Sequence, residues 1–519
     1  MRFSRLPVLS ALVLALVVST AASVPAHAEP IVPSPHSVVS GLTLVEKHTT
    51  AAARRAIDEA AEVLAPKSER RVKTTLRRGR DATMALRNVF VHREDMSASD
   101  QSTAARLLAR PASTKRTCST KVPVCIHWVT SGENKSTWAW VKQVRGVMEH
   151  VYTAYKRAGF RRPVGDGTQG GKKNYVDIYL RDVYNQGYYG YCSPDGAPAN
   201  APKGSTIAKA YCVLDNDYAP RQYGRTHTPL QNLKVTAAHE FFHAIQFGYD
   251  AGEDIWLMEG TAVWAEDQIY TNINDNLQYL PYGQLRHPRT PLDKTTTYGV
   301  YGNWIFFRYL TERFPRKVGG MPVILRQIWQ HADSTKGKKR NDYSIKAVAD
   351  AIAGRGKLLR TIYLQFAEAN QHPQRAYREG RANHYPVAPV TKSVTLRPLH
   401  KSASGTFTMA HLTSTTTRFV PQNVTGRLRV HVQLQRPGME AAMVTVYERS
   451  GALKKYPVKL NGRGAGNVTV PFATTKVSKV ELTMVNAARS YACWKGTGYS
   501  CHGKPRYNAL RAHWSGTLA

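Results

Sequence analysis

Residues 235–247 read VTAAHEFFHAIQF, and this stretch predicts the helix around which the rest of the chain is organised. No Gly or Pro interrupts the run, and Thr236 is its expected N-cap. Histidines four positions apart lie one turn above each other on a helix, so His239 and His243 are expected to point at the same spot. Two converging neutral imidazoles supply half of a zinc site. Glu240 is placed to act as a general base on a water at that metal, without being a ligand itself.

A second apolar helix is predicted over residues 256–267, which read WLMEGTAVWAED. A short turn over residues 248–254 precedes it, and Gly248 suits the end of the first helix. A catalytic zinc ion takes three protein ligands and keeps one open position, and two histidines with one glutamate are a standard set. Helix, turn and helix can bring Glu259 back to the histidines, so we predict Glu259 as the third ligand.

The pattern HExxH followed by W-L-x-E-G-x-A resembles the gluzincin branch of the zinc metallopeptidases. The segments HEFFHAIQFGYD and WLMEGTAVWAED are most similar to a group of secreted bacterial neutral metallopeptidases within that branch. The resemblance covers residues 175–315. It implies a zincin-like fold and a Zn²⁺ ion held by His239, His243 and Glu259. Met258 stands where aminopeptidase N-type motifs have an asparagine, which argues against a true aminopeptidase.

The resemblance also implies a hydrogen-bond donor for the oxyanion, because gluzincins use a Tyr or His downstream of the ligands. Tyr301 is our candidate and Tyr298 the second, although both could equally pack beneath the zinc site. Glu266 lies two helical turns after Glu259 and is expected to accept a hydrogen bond from a ligand histidine. Asp267 is the alternative for that contact, and a surface position or a salt bridge fits either residue.

The first 28 residues have the form of a secretory signal peptide. Arg2 and Arg5 form a basic start, residues 6–18 are apolar, and Ala26-His27-Ala28 is an A-x-A cleavage site. No later stretch is long and apolar enough to span a bilayer. We therefore expect a secreted, extracellular protein without a membrane span once the signal is removed.

The six cysteines fall into three local couples, which in an exported chain indicate disulfides. No C-x-x-C motif favours zinc binding by cysteine. The couples are Cys118 with Cys125, Cys192 with Cys212, and Cys493 with Cys501.

Three regions follow the signal segment, over residues 29–116, 117–385 and 390–519. Residues 29–116 are rich in Ala, Arg and Glu with helical spacing. They form either a propeptide, cut near Lys115-Arg116, that covers the zinc until export, or an accessory helical subdomain or linker. Residues 117–385 are expected to form an α+β, zincin-like metallopeptidase domain with a mixed sheet and an active-site helix.

Within that domain the apolar patterns predict one amphipathic helix and three strands. The helix is expected over 138–158, and the strands over 124–129, 175–180 and 210–215. Strict alternation at Leu428, Val430, Val432 and Leu434, with further short strands between turns, predicts a β-sandwich accessory domain over 390–519.

The balance of charge is strongly basic, with 72 Lys and Arg against 36 Asp and Glu. Such a field attracts polyanions. No nucleic-acid-binding motif accompanies the charge, which favours anionic cell-wall polymers over nucleic acid as partners.

We therefore predict a secreted zinc-dependent endopeptidase that cleaves protein or peptide substrates with a zinc-activated water and Glu240 as general base. Two alternatives stay open at this point. One is a basic cell-wall-binding protein with a structural or degenerate zinc site. The other is a zinc amidase that acts on wall polymer. The intact Glu240 disfavours the first alternative, because a structural site needs no base.

Overall fold

The computed structural model of the chain describes residues 49–66, 81–337 and 341–519. Contacts divide the chain into Met1–Ser37 and Val38–Ala519, and every described residue belongs to the second unit. That unit combines helices with a five-stranded sheet and ends in a β-rich region, which confirms the predicted mixed α and β composition. The predicted signal peptide lies outside the described residues.

Three N-terminal helices pack on one face of the first sheet. They are α1 Thr50–Leu64, α2 Asp81–Val91 and α3 Ala98–Leu107. Their apolar side chains share a core with residues of the sheet, such as Leu86 and Val89 on α2 with Tyr211 and Val213 on the sheet. The described residues of this part of the chain therefore contain helices, as predicted.

One edge of the first sheet lies next to the predicted site. Its strands are β1 Lys115–Cys118, β2 Val124–Trp128, β3 Val176–Arg181, β4 Gly190–Pro194 and β5 Ala210–Asp215. Their order is β1-β2-β3-β5-β4, with β2, β3 and β5 parallel and β4 antiparallel at the edge. The three strands predicted before the motif helix correspond to β2, β3 and β5.

Helix α6, Pro229–Asp250, carries the two histidines and lies against β4, β5 and α4, Trp138–Arg157. Its start differs from the prediction. The helix begins at Pro229 and is capped by Thr228. The Thr228 hydroxyl accepts from the Gln231 backbone N–H, and the Gln231 side-chain oxygen accepts from the Thr228 backbone N–H. This capping box with Pro at the first helical position is a stronger start signal than Thr236, which lies inside the helix.

The end of α6 also differs, since the helix continues through Gly248 to Asp250. Gly248 keeps ordinary helical backbone, and an added Cβ would meet the carbonyl oxygen of Arg162 at 3.5 Å. That distance is an ordinary van der Waals contact, so the glycine neither terminates the helix nor is required by a close approach. Helix α7, Ile255–Ile269, follows after a four-residue turn and includes the predicted second helix.

The remaining helices and short strands surround α6 and α7. The helices are α5 Pro220–Tyr223, α8 Gly299–Gly302, α9 Trp304–Arg313, α10 Val323–His331, α11 Ile345–Ala353, α12 Leu359–Ala369 and α13 Pro373–Ala376. Strands β6 Lys317–Val318 and β7 Met321–Pro322 form a small hairpin.

The C-terminal region is built from two sheets that enclose one apolar core, so the predicted β-rich region is confirmed. Its main strands are β8 Lys392–Leu396, β9 Ser402–Met409, β10 Thr413–Pro421, β11 Arg427–Leu434, β12 Glu440–Glu448, β13 Leu453–Pro457, β14 Ala465–Pro471 and β15 Val477–Asn486. The last strands are β16 Tyr491–Ala492, β17 Lys504–Pro505 and β18 Leu510–Leu518.

All three predicted disulfides are present. Cys118–Cys125 joins β1 to β2, and Cys192–Cys212 joins the edge strand β4 to β5. Cys493–Cys501 closes a loop beside the β16–β17 hairpin. Three disulfides indicate a protein that resides in an oxidising compartment outside the cytoplasm. No helix in the described ranges has the length and apolar character that crossing a membrane requires.

Candidate metal centre

The two histidines of α6 converge as their spacing predicts. His239 and His243 are both fully buried, and their Nε2 atoms lie 3.0 Å apart. Their rings are nearly perpendicular, with centroids 4.7 Å apart. The one-turn offset along α6 brings the two imidazoles to the same point beside α7.

Helix α7 returns after the turn and adds the predicted carboxylate. Oε2 of Glu259 lies 3.2 Å from Nε2 of His239 and 3.7 Å from Nε2 of His243. Within the described ranges, these three residues are the one group whose spacing could hold a metal ion. The next residue, Gly260, lets α7 pack closely on α9, because an added Cβ would lie 2.8 Å from the Phe307 ring.

Each histidine is held in one orientation by a partner at its other ring nitrogen. Nδ1 of His239 lies 2.6 Å from Oε1 of Glu266, the contact predicted for that residue. Nδ1 of His243 lies 2.6 Å from Oε1 of Gln246. The amide nitrogen of Gln246 donates to the Met258 carbonyl oxygen, which fixes its oxygen as the acceptor for His243. Both Nδ1 atoms therefore donate, and both Nε2 atoms face the centre as acceptors.

This donor set fits a zinc ion. Two acceptor nitrogens that face each other at 3.0 Å in a buried site repel unless a cation lies between them. The spacings among the two Nε2 atoms and Oε2 of Glu259 leave a point about 2 Å from all three, the usual length of zinc bonds to imidazole and carboxylate. Two imidazoles and one carboxylate are also a ligand type that zinc prefers.

Glu240 lies beside this centre and contacts the edge of the sheet through a residue of α2. The Thr83 hydroxyl donates to Oε2 of Glu240 at 3.0 Å and accepts from the backbone N–H of Cys192 at 2.9 Å. Cys192 lies on β4, so this N–H points outward from the edge of the sheet. Glu240 is only 1 % exposed, because α2 covers it.

The structure places the two candidate tyrosines next to each other near α7. Tyr301 lies on α8, is buried, and stacks on Tyr279 with ring centroids 5.2 Å apart. Tyr298 lies 6.0 Å from Tyr301 by the same measure. Helix α8 packs directly against α7, the helix that carries Glu259. Which of the two tyrosines faces the ligands stays a prediction.

Asp267, the alternative partner for a ligand histidine, has a different role. It forms a buried ion pair with Arg308 of α9 and accepts from Asn276. Burial raises the pKa of Asp267 to about 6, and the Arg308 charge opposes that shift. Asp267 therefore ties α7 to α9, and Glu266 alone of this pair contacts His239.

Two residues of the site were not predicted from the sequence. Gln246 follows His243 by three positions, and that spacing on a helix places both side chains on the same face, so the contact could have been inferred. Thr83 lies 157 positions before Glu240 and belongs to a different helix. No local pattern in the sequence indicates that contact.

Comparisons with known proteins do not extend these observations. No protein-family model and no curated protein sequence matches the chain. Similar solved structures include the pre-peptidase C-terminal domain of a collagenase from Bacillus anthracis, at 10% identity over 25% of this chain and 97% of that one, with a TM-score of 0.16. A periplasmic inhibitor of g-type lysozyme from Salmonella Typhimurium covers 25% of this chain and 100% of its own at 17% identity, with a TM-score of 0.15.

A third similar structure is a family GH115 4-O-methyl-α-glucuronidase. It is 8% identical over 70% of this chain and 54% of its own, with a TM-score of 0.14. TM-scores at this level carry no argument about fold or function, so the site is interpreted from its own residues.

Proposed function

We propose that the chain is a secreted zinc-dependent endopeptidase with a zincin-like catalytic region. The observation that carries this proposal is the convergence of His239, His243 and Glu259 beside an intact Glu240 next to the edge strand β4. The resemblance of these segments to the gluzincin metallopeptidases agrees with it. A structural zinc site would need neither a general base nor an adjacent strand edge.

The roles of the chain's own residues follow from their positions. A zinc ion held by the three ligands would polarise the substrate carbonyl and lower the pKa of a water molecule. Glu240 takes the proton from the attacking water and passes it to the departing amine. Once Thr83 leaves it, the outward N–H of Cys192 on β4 can donate to the carbonyl of an extended peptide that adds to the sheet edge. Tyr301 is our candidate for the donor that stabilises the oxyanion.

We also propose that the protein as described is latent. Thr83 occupies both Glu240 and the Cys192 N–H, the two groups that the mechanism requires for catalysis and substrate binding. Residues 29–116, which contain α1, α2 and α3, would then act as a propeptide that keeps the cleft closed until export is complete.

The decisive experiment measures zinc content of the wild type and of Glu240→Gln, and peptide hydrolysis by both after the chain has been cleaved between α3 and β1. We expect both proteins to bind one zinc ion. Activity on casein and on a peptide library should fall by a factor of roughly a thousand or more in the variant, because a glutamine cannot accept the proton. A fully active Glu240→Gln protein would refute the assignment of the base.

Glu440→Gln is the matched control for this experiment. Glu440 is equally buried but lies on β12, and burial raises the pKa of its carboxyl, so an amide resembles its uncharged form. Its activity should equal that of the wild type. A parallel digest of purified wall material tests the amidase alternative. The net charge of +36 favours that alternative, because it attracts anionic wall polymer to the protein.

A further inference from the structure

One arginine fixes the chain between α3 and β1 to the first sheet. Nε and Nη2 of Arg110 donate to Oδ2 of Asp195 at 3.0 Å and 2.6 Å, and Nη2 also donates to Oδ2 of Asp166 at 2.8 Å. Nη1 donates to Oδ2 of Asp177. Asp177 lies on β3 and Asp195 directly follows β4, so this one side chain joins two strands of the sheet to the segment that leads into β1.

The three carboxylates depend on this arginine. The side chains of Asp166 and Asp177 are 1 % exposed, and that of Asp195 is 11 % exposed. Burial acts against the charge of Arg110, but its hydrogen bonds and ion pairs, first those with Asp195, raise its pKa overall. Burial also raises the pKa of Asp166 to about 7, although Arg110 opposes that shift. Without Arg110 the buried carboxyls could not all stay ionised, so its removal would be strongly destabilising.

The backbone on both sides of this arginine is bound to the same sheet. The hydroxyl of Tyr211 on β5 donates to the carbonyl oxygens of Leu108 at 3.2 Å and Ala109 at 2.9 Å. Further along, the N–H of Thr114 donates to the carbonyl oxygen of Trp128 at 3.1 Å. Strand β1 follows at once and pairs with β2. The segment from Leu108 onward therefore belongs to the sheet and not to the N-terminal helices.

The three N-terminal helices hold to each other through contacts of their own. Arg54 of α1 donates to Asp100 of α3 at 2.6 Å, and α1 and α2 share an apolar core. Helix α3 ends at Leu107 and buries only Asp100 and Ala104 of its ten residues. A helix that buries so few side chains opens locally at a low cost in free energy. The end of α3 is therefore accessible to a protease.

The two ends of the segment differ in what a cut would release. A cut after Lys115 or Arg116 falls within β1 and separates Arg110 from the mature protein. The released part would then have to withdraw its guanidinium from three buried carboxylates. A cut before Arg110 leaves those ion pairs intact. It frees α1, α2 and α3, together with the Thr83 hydroxyl that contacts Glu240.

We propose that the chain is processed at one of the bonds between Arg106 and Arg110, and that Arg110 stays in the mature protein as the anchor of its N-terminal segment. The released part then ends earlier than a cut near Lys115-Arg116 would place it. The inference rests on the proposed latent endopeptidase and names the step that activates it. That step is hydrolysis of one peptide bond by a protease, in which water gives the released part a new carboxylate and the mature protein a new α-amino group.

Limited trypsin digestion of the full chain tests the position of the cut without any activity measurement. Trypsin cleaves after Lys and Arg, and Arg106, Lys115 and Arg116 all have exposed side chains. We expect the shortest stable fragment that contains α6 to begin at Leu107, because the later bonds lie in the anchored segment. Mass spectrometry identifies that residue. A shortest stable fragment that still contains α3, or one that begins after Arg110, would overturn the inference.

The anchor itself is tested with Arg110→Gln, which removes the charge. We expect trypsin to cleave this variant after Lys115 or Arg116 roughly tenfold faster than the wild type or more, because the segment detaches more often. Arg157→Gln, which removes an exposed arginine of α4, is the matched control and should be cleaved like the wild type. Equal rates in all three proteins would show that Arg110 is not the anchor. The wild-type fragment decides the question alone if Arg110→Gln does not fold.

The N-terminus of the active protein separates this inference from the proposed function. Sequencing of the protein recovered from the culture medium should place it within residues 107–110. An active protein that begins after Arg110, or one that retains α1, α2 and α3, overturns the processing site and leaves the endopeptidase intact. A zinc-loaded protein that begins within residues 107–110 and cleaves no peptide overturns the endopeptidase, whereas the processing site stands.

Discussion

At the scale of single residues, the orientation of the two candidate ligand histidines depends on two side chains outside the candidate metal centre. Glu266 and Gln246 each accept from a histidine Nδ1 and so direct the opposite Nε2 inward. One partner is a carboxylate and the other an amide. His239 is therefore expected to be the more basic of the two ligands, because a carboxylate increases the electron density of the ring more than an amide does.

Replacing Glu266 by Gln should therefore lower zinc affinity by roughly ten- to a hundredfold while the protein still folds. The amide keeps the size of the side chain and one acceptor, but it removes the charge beside His239. Competition with a chromophoric chelator at fixed pH measures the change. Glu312→Gln on α9, whose carboxylate pairs with Arg308, is the control. Unchanged affinity in Glu266→Gln would show that the contact is not used to tune the ligand.

The residues of the site differ in how far the sequence alone could predict them. His239, Glu240 and His243 share one helix, so its 3.6-residue periodicity was sufficient to predict that the two histidines converge beside Glu240. Glu259 follows on the next helix after a short turn, and the turn leaves few ways to place it. Thr83 reaches the site from a helix more than 150 positions away, and no local rule connects such distant segments.

At the scale of secondary structure elements, α2 is the element that closes the site. Leu86 and Val89 bury their side chains on the sheet, on the same helix as Thr83. The sequence predicted helices in this region but could not predict what they cover. Helical periodicity identifies the apolar face of a helix, but it does not identify the element on which that face packs.

The double variant Leu86→Asp, Val89→Asp should activate the proposed peptidase. Two carboxylates cannot be buried in the apolar contact with the sheet, so α2 should leave the cleft. We expect the rate of peptide hydrolysis to rise by about tenfold or more, with faster amide hydrogen exchange in α2. Gln101→Asp with Ser102→Asp on the exposed face of α3 is the matched control. Rapid exchange in α2 without any gain in activity would contradict the proposed latency.

At the scale of the whole molecule, a buried ion pair ties the β-rich C-terminal region to the helices. Nε2 of His411, between β9 and β10, lies 2.9 Å from Oδ1 of Asp293, which precedes α8. Tyr491 and the backbone of Ser500 donate to the other oxygen of Asp293. Burial acts against both charges, but their attraction and the hydrogen bonds raise the pKa of His411 and lower that of Asp293.

These two shifts predict how stability depends on pH. The raised pKa of His411 means that its contribution is fully present below its unfolded value of about 6.5 and is lost as pH rises through the folded value. The lowered pKa of Asp293 means that its contribution is present above about pH 4 and is lost in more acidic solution.

The difference in free energy of unfolding between wild type and His411→Gln should therefore be largest between about pH 4 and pH 6, and smaller at pH 9. Denaturant unfolding of both proteins at a series of pH values measures it. His431→Gln, on the partly exposed face of β11, is the control and should show no such pH dependence. A constant difference across the whole range would mean that His411 acts only through packing.

The contact of α2 with Glu240 lies within one polypeptide, and this determines how the cleft responds to dilution. A tethered segment faces its site at a fixed effective concentration, typically in the millimolar range for a short connection, however dilute the solution. Latency of the intact chain is then independent of protein concentration. A cut between α3 and β1 would convert the contact into a bimolecular complex, and the released helices would be lost by diffusion as the protein spreads from the cell.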